Sequence, residues 1–202
     1  MITDCHTHSL RRDAIVCRQP GEPADDGYVY AVGYHPWNAS DFNEPRLEEE
    51  ASLPSTVAIG ETGLDALRGP SAQVQEAAFR RHIELSERLG KPLIIHCVRA
   101  FDRLLAIKKE MRPQQPWIIH GFSRKPELAR QLLDAGCYLS LGPRFNPATA
   151  AIIPADRLLI ETDDDPTATI DSVAQAVAHS RHTTAKQILT LTARNLQKLT
   201  GI

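Results

Sequence analysis

Eight short apolar runs, separated along most of the chain by longer amphipathic stretches, constrain the fold of this sequence more than any other feature. The runs are rich in Val, Ile, Leu and Tyr, which favour β-strands. They lie at 2–5, 14–17, 28–33, 56–60, 93–96, 116–119, 137–141 and 157–161. Strands that alternate with helices build parallel sheets. We therefore predict an α/β protein with a TIM-like barrel.

Helix signals separate most of the later strands. Ser71 is a good N-cap for a helix that carries Ala78 and Leu85 on its apolar stripe and ends at Gly90. Further helices are predicted at 101–111, 126–136, 170–179 and 184–199. The chain has 202 residues, whereas an eight-unit barrel usually needs roughly 250. Because no repeat or linker is visible, we interpret residues 1–202 as one truncated barrel domain.

The connection between the first two predicted strands is very short. Only 9–13 separate the first two apolar runs, and five residues reach at most about 17 Å. A parallel crossover normally takes a dozen or more residues. We therefore expect the first helix to be missing and the second strand, 14–17, to run antiparallel to 2–5. A barrel without this helix would leave apolar strand surface exposed or covered by a second copy in a homo-oligomer.

Composition and charge narrow the classes of function and the compartment. The net charge is −2, so the chain does not bind polyanions through bulk charge, and any contact with nucleic acid needs a local basic patch. Cys5, Cys17, Cys97 and Cys137 form no paired motif, which predicts reduced, buried cysteines. Neither a secretory signal nor an apolar run that could span a bilayer is present. We therefore expect a cytoplasmic protein with no membrane contact.

Ligand-type side chains follow the apolar runs. His6 and His8 follow the first run, and residues two apart in a strand face the same side, so both imidazoles can bind one ion. The later runs are followed by Glu61, His96, His120 and Asp163. The carboxyl ends of parallel barrel strands converge on one face. A single histidine in this position is more often structural, but six such residues predict a metal site.

Several short motifs occur in order along nearly the whole chain. They are Asp4–His8, Gly33–Pro36, Ile59–Asp65, Pro92–His96, Ile119–Ser123 and Leu159–Asp163, with Asn195–Leu199 in the last helix. Together they resemble the TatD-type family of metal-dependent deoxyribonucleases, which belongs to the amidohydrolase-like barrels. The resemblance implies two divalent ions. One would be held by His6, His8, Glu61 and Asp163, and the other by Glu61, His96 and His120.

The resemblance also suggests the chemistry of the ions. Glu61 offers one oxygen to each ion, so no carbamylated lysine is expected. Mixed histidine and carboxylate ligands suit Zn²⁺ as the bound ion, with Mg²⁺ or Mn²⁺ as alternatives in use. Two such ions would activate a water. Asp163 would then take up its proton, unless it is purely a ligand.

Other residues have weaker assignments. Glu161 shares the inward face with Asp163 and is expected to accept a hydrogen bond from a ligand histidine. His35, Arg99 and Arg144 are candidate substrate contacts, although each could be structural or solvated. Asp65 could hold its loop or touch substrate. His82, on a predicted helix, is interpreted as a packing or surface residue.

The function implied by the resemblance is cleavage of phosphodiester bonds in DNA. Because the chain is acidic and the mouth of its site is shortened, we expect attack at chain ends or on short single strands. Two departures from the family pattern border the site: the short segment Ser9–Gly27, and Asp163–Pro166 with the short tail that follows. For this reason hydrolysis of another small ester, amide or phosphoester on the same ions remains an alternative. A third alternative, from a different class, is a metal-stabilised scaffold without turnover.

Overall fold

The computed structural model describes residues 2–202, which form a barrel of eight parallel strands in chain order. The strands are β1 (Asp4–Thr7), β2 (Ala14–Arg18), β3 (Val29–Val32), β4 (Thr56–Asp65), β5 (Leu93–Val98), β6 (Trp117–Ile119), β7 (Tyr138–Leu141) and β8 (Leu158–Ile160). All seven successive pairs are parallel. The predicted TIM-like architecture is confirmed.

The barrel is closed between its first and last strands. Thr7 forms a parallel bridge with Asp163, just after β8. The Asp163 N–H donates to the His6 carbonyl at 3.0 Å. Below this bridge the buried Asp4 carboxylate accepts hydrogen bonds from the backbone and the hydroxyl of Thr162, at 3.2 and 2.7 Å. The first and last strands of the sheet are thereby joined at their carboxyl ends.

Residues 2–202 contain seven α-helices, of which five connect the later strands and two follow β8. They are α1 (Glu44–Ala51), α2 (Ala72–Leu89), α3 (Phe101–Met111), α4 (Pro126–Asp134), α5 (Pro147–Ile152), α6 (Ile170–Ser180) and α7 (Ala185–Thr200), with 3₁₀ helices at Pro36–Asp41 and Ala155–Arg157. The five predicted helices are present. Ser71 caps α2, and Gly90 ends it in the left-handed conformation.

Helices α1 and α5 were not predicted from the sequence. Each is capped by an asparagine, Asn43 or Asn146, whose side-chain oxygen accepts a backbone N–H of the first turn, and each has a proline near its start. These are recognised helix-start signals. The helices are short, with 8 and 6 residues, so their apolar periodicity carries little information.

The predicted antiparallel direction of β2 is wrong. Asp4 lies beside Ala14 and Thr7 beside Val16, in a parallel pair. Because β1 has only four residues, the chain must descend only about 10 Å to start β2, and the connection 8–13 can span about 20 Å when extended. The N–H groups of Thr3 and Asp4 both donate to the Asp13 carbonyl, at 3.0 and 3.2 Å, which anchors this connection. Among the described residues, the connection between β1 and β2 contains no helix.

The helix-poor side of the barrel is nevertheless covered by the chain itself. All residues of β1 and β2 are buried, so the expectation of exposed strand surface is wrong. Arg18 lies over the Tyr30 ring, 5.2 Å from its centroid, and bonds Glu50 of α1 at 2.5 Å. The loop after β2 folds back on the sheet, where the Tyr30 hydroxyl donates to the Asp25 carbonyl at 3.0 Å. The argument for a partner on this side therefore no longer holds.

The core has two layers. The outer layer lies between the strands and the helices and contains Phe79, Trp117, Leu132 and Val177. The inner cluster draws residues from all eight strands: Cys5, Ile15, Cys17, Ala31, Val57, Ala58, Ile94, Ile118, Tyr138 and Leu159. The four cysteines are free, as predicted; three of them are buried, whereas Cys97, also predicted to be buried, is only half-buried. Among the described helices, none is long and apolar enough to cross a bilayer.

Candidate metal centre

The Glu61 carboxylate lies at the centre of the barrel face that is formed by the carboxyl ends of the strands. Its Oε2 is 3.5 Å from Nε2 of His6 and 3.4 Å from Nε2 of His8. Its Oε1 is 2.9 Å from Nδ1 of His96 and 2.7 Å from Nε2 of His120. The two oxygens therefore face different imidazoles, which is the arrangement expected of a carboxylate that bridges two ions.

Asp163 completes the first of these pairs. Its Oδ1 is 3.3 Å from Nε2 of His6 and 3.8 Å from Nε2 of His8. The backbone φ of Asp163 is 56°, a left-handed conformation that aspartate adopts more readily than most residues. The bridge that closes the barrel fixes this conformation. The structure thus brings together all six side chains that the sequence analysis selected as ligands.

Close approach of two strands positions Glu61 against His96. Gly63 in β4 has a φ of 141°, and a Cβ there would lie 2.0 Å from the His96 carbonyl oxygen. Glycine is therefore required for β4 and β5 to come so close at this level.

The side chains present fit divalent metal ions. Nε2 of His6 is fully buried and makes no well-formed hydrogen bond, although carboxylate oxygens lie 3.3 and 3.5 Å from it. This arrangement is costly unless an ion occupies its lone pair. The donor atoms of His6, His8 and Glu61 lie within 4.8 Å of one another, and so do those of His6, His120 and Asp163. Imidazole and carboxylate donors suit Zn²⁺ and related divalent ions.

The charge state of the centre also suits a cation. Burial alone would raise the pKa of Glu61, but His120, His35 and His8 outweigh it and hold that pKa well below its ordinary value. Burial likewise raises the pKa of Asp163, yet interaction with His6 lowers it to about 2. The hydrogen bond to Glu61 raises the pKa of His8. Both carboxylates are therefore ionised at neutral pH.

His35 contacts the same carboxylate. Its Nε2 lies 3.2 Å from Glu61 Oε1, while its Nδ1 accepts the N–H of Trp37 at 3.2 Å. Since Nδ1 is the acceptor, Nε2 carries the proton and donates it to Glu61. From the sequence, His35 was predicted to be a substrate contact or a structural residue. Like the six predicted ligands, His35 follows an apolar run, and this position indicates a role at the metal centre.

Acidic side chains hold the second pair of imidazoles. Asp65 Oδ2 lies 3.2 Å from His96 Nε2, and Asp65 Oδ1 accepts the N–H of Leu67 at 2.8 Å. Asp65 therefore both holds its loop and orients His96. Glu161 is fully buried, 3.2 Å from His120 Nδ1, and accepts the Gly121 N–H at 2.7 Å. These contacts direct Nδ1 of His96 and Nε2 of His120 towards Glu61.

Cys17 was not recognised from the sequence. Its Sγ lies 2.9 Å from Nδ1 of His6. With Nε2 of His6 directed at the carboxylates, Nδ1 carries the proton and donates it to this sulfur. No spacing motif in the sequence indicates this contact. It depends on the parallel direction of β2.

Two cavities meet at the centre and share His96, His120, Asp163 and Asp164 as lining residues. One has a volume of about 330 Å³ and is also lined by Phe101, Phe145, Arg124 and Arg144. The other has a volume of about 410 Å³ and is also lined by Arg18, Gln19, His35, Trp37 and Asn38. Of the predicted substrate contacts, His35 and Arg144 line these cavities. Arg99 is exposed and lies outside both linings.

Known proteins resemble this chain in sequence. Residues 6–201 match the family described as "TatD related DNase". The "Uncharacterized metal-dependent hydrolase YcfH" of Escherichia coli is 36% identical over 148 residues, which cover 68% of this chain and 56% of that protein. The "3'-5' ssDNA/RNA exonuclease TatD" of Cronobacter turicensis is 39% identical over 146 residues, which cover 65% and 55%. The chain thus spans little more than half the length of these relatives.

The fold has a counterpart among solved structures. The TatD homolog YJJV of Escherichia coli superposes with a TM-score of 0.84 at 22% identity, covering 100% of this chain and 98% of that one. At this identity the likeness concerns the fold. The family match, by contrast, extends over nearly the whole sequence. The chain therefore belongs to the TatD-related DNase family.

Proposed function

We propose that the chain is a metal-dependent hydrolase that cleaves phosphodiester bonds of DNA at chain ends. The observation that carries this proposal is the Glu61 carboxylate, which offers one oxygen to His6 and His8 and the other to His96 and His120. This pattern matches a dinuclear site. The relative named as an exonuclease supports the choice of nucleic acid as substrate.

The residues of the centre have two proposed roles, which are to hold the ions and to accept a proton. Six side chains, His6, His8, Glu61, His96, His120 and Asp163, would hold two divalent ions, with Zn²⁺ as the resident metal and Mg²⁺ or Mn²⁺ able to replace it. When bound, the ions supply a water of lowered pKa and polarise a phosphoryl oxygen. Asp163 is ionised and partly exposed to the cavities, so its carboxylate can accept the proton of the attacking water.

The surroundings suit a phosphodiester. Arg124 and Arg144 line the cavity on the β5–β8 side, where guanidinium groups can bind the phosphates next to the scissile bond. Phe101 and Phe145 offer apolar surface in the same cavity. The two small cavities and the net charge of −2 favour a short single strand or a chain end over a long duplex.

The size of the cavities also supports a second candidate, the hydrolysis of a small phosphoester or ester. Volumes of about 330 and 410 Å³ fall within the range of small-molecule sites. Such an activity would use the same ions and the same Asp163. It would differ in having no dependence on the length of a nucleic acid strand.

An end-labelled DNA assay tests the proposal. Metal-loaded protein is incubated with single-stranded and double-stranded oligonucleotides and with closed circular duplex. We expect progressive shortening of the single strand, slow nicking of the circle, and loss of both after chelation. Rapid nicking of the closed circle would contradict attack at chain ends. Turnover of a small phosphoester without any cleavage of DNA would select the second candidate.

A further inference from the structure

Trp37 is a large aromatic side chain that stays exposed beside the metal centre. It follows His35 and Pro36 at the start of a 3₁₀ helix. Its exposed fraction is 43%, whereas Trp117 is fully buried in the core. The indole lines the cavity of about 410 Å³ together with Glu61 and Asp163. Its ring centroid lies 6.0 Å from that of His96.

The exposed indole is held in place. Its Nε1–H donates to Asp65 Oδ2 at 2.7 Å, and its backbone N–H donates to His35 Nδ1. The loop after β4 packs against it so closely that a Cβ at Gly69 would lie 2.9 Å from the Trp37 Cα. The Arg68 guanidinium lies over one face of the ring, 5.0 Å from its centroid. A ring fixed in this way loses little conformational entropy when a ligand packs on it.

The chemistry of this surface selects a flat aromatic ligand. The polar atom of the indole is already satisfied by Asp65 and one ring face is covered by Arg68, so what remains for a ligand is the other ring face. Asn38 and Gln19 line the same cavity and offer amide groups at its edge. Unpaired nucleobases stack on anchored aromatic rings with little regard to sequence, whereas bases within a duplex have no free face.

We propose that Trp37 forms a stacking surface for a nucleobase of a single-stranded nucleic acid whose phosphodiester lies at the metal centre. The inference rests on the proposed function and adds the recognition of a base to it. A plain structural role is the alternative: Trp37 would then only support Asp65 and, through it, His96. The two roles differ in whether the effect of Trp37 depends on the presence of a base.

The kinetic test compares hexathymidylate with a hexamer of the same backbone that carries no bases. For Trp37→Leu we expect the KM for hexathymidylate to rise between about 5- and 150-fold, the range for loss of one base–aromatic stack. The KM for the abasic hexamer should stay within about twofold of the wild-type value, since no stack is lost there. Trp37→Phe loses the same hydrogen bond to Asp65 but keeps a ring, so it should retain most of the affinity. Leu53→Ala, at a residue of similar exposure (42%) outside the cavity, is the matched control.

A binding measurement separates this inference from the proposed function. Because Trp117 is buried, stopped-flow quenching of the exposed indole by hexathymidylate reports on Trp37 before any turnover. We expect quenching by hexathymidylate and much less by the abasic hexamer, whether or not the protein cleaves either one. Equal changes in KM for both hexamers, or equal quenching by both, would overturn the stacking role even if the protein is a nuclease.

Discussion

At the scale of single residues, the six predicted ligands converge because each follows a strand of the same parallel barrel. The strand-end pattern sufficed to select them, since the carboxyl ends of all eight strands meet at one face. The supporting contacts were harder to predict. The pairing of Cys17 with His6 depends on the direction and register of β2, and these are set by a connection whose geometry local sequence does not specify.

Asp163 permits a direct test of the proton-transfer step. In Asp163→Asn the side chain keeps its shape and can still offer an oxygen, but it can no longer take up a proton. We expect kcat to fall by a factor of about 10²–10⁴, with a much smaller loss of bound metal. Single-turnover rates and elemental analysis measure the two effects.

The matched control for this substitution is Asp156→Asn. Asp156 is 70% exposed and lies in the 3₁₀ helix before β8, at the opposite end of the strand from the metal centre. Its turnover should equal that of the wild type. Wild-type turnover in Asp163→Asn would refute the proton role and leave Asp163 as a ligand only.

At the scale of secondary-structure elements, whether an element could be predicted from the sequence depended on the length of that element. Long helices such as α2 and α7 carry several turns of apolar periodicity and were predicted. The shorter α1 and α5 carry little apolar periodicity, and only their capping residues indicate where they begin. The direction of β2 was mispredicted because crossover lengths typical of helical connections do not apply when a strand has only four residues.

The cap of α1 can be tested by substitution. The Asn43 side chain accepts the N–H of Arg46 at 3.1 Å. We expect Asn43→Ala to lower the free energy of unfolding by about 1 kcal/mol, whereas Asn43→Asp, which can also cap, should change it little. Urea denaturation measures both. An equal loss in the two variants would show that the cap hydrogen bond is not what stabilises this helix.

Helix α2 contains a buried histidine that should make stability depend on pH. His82 is fully buried, accepts the Tyr34 N–H at 2.9 Å and bonds the Ala78 carbonyl at 2.7 Å. Burial lowers its pKa from 6.5 to about 4. Between these values the unfolded chain binds the proton and the folded chain does not. Stability should therefore fall as the pH drops from about 6.5 to 4, by at most about 3 kcal/mol from this group.

A variant isolates this effect from other titrating groups. His82→Gln keeps a polar side chain that does not titrate, so its unfolding free energy should fall less than that of the wild type over the same pH interval. Both proteins are measured by urea denaturation with chelator present, which removes any contribution from bound metal. Parallel pH profiles for the two proteins would show that His82 is not buried in the neutral form.

At the scale of the whole molecule, the metal centre should stabilise the fold. Ions that bind only the folded state add stability, about 2.7 kcal/mol at 100 times the dissociation constant. For a chain of this size each kcal/mol corresponds to about 2–4 °C in Tm. We therefore expect loading with Zn²⁺ to raise the Tm by about 5–10 °C and chelation to reverse it. Calorimetry of Glu61→Gln, which has lost the bridging carboxylate, should show a much smaller shift; an equal shift would place the ions elsewhere.

The closure of the barrel bears on when, during synthesis, the ligand side chains come together. His6 and His8 emerge first during synthesis, whereas Asp163 and the backbone that clamps β1 lie 155 or more residues later. A nascent chain that stops before β8 holds five of the six donors but lacks the strand that aligns the first two. We therefore propose that metal binding at this centre requires the pairing of β1 with the residues that follow β8, and that a nascent chain without β8 does not yet bind the ions there.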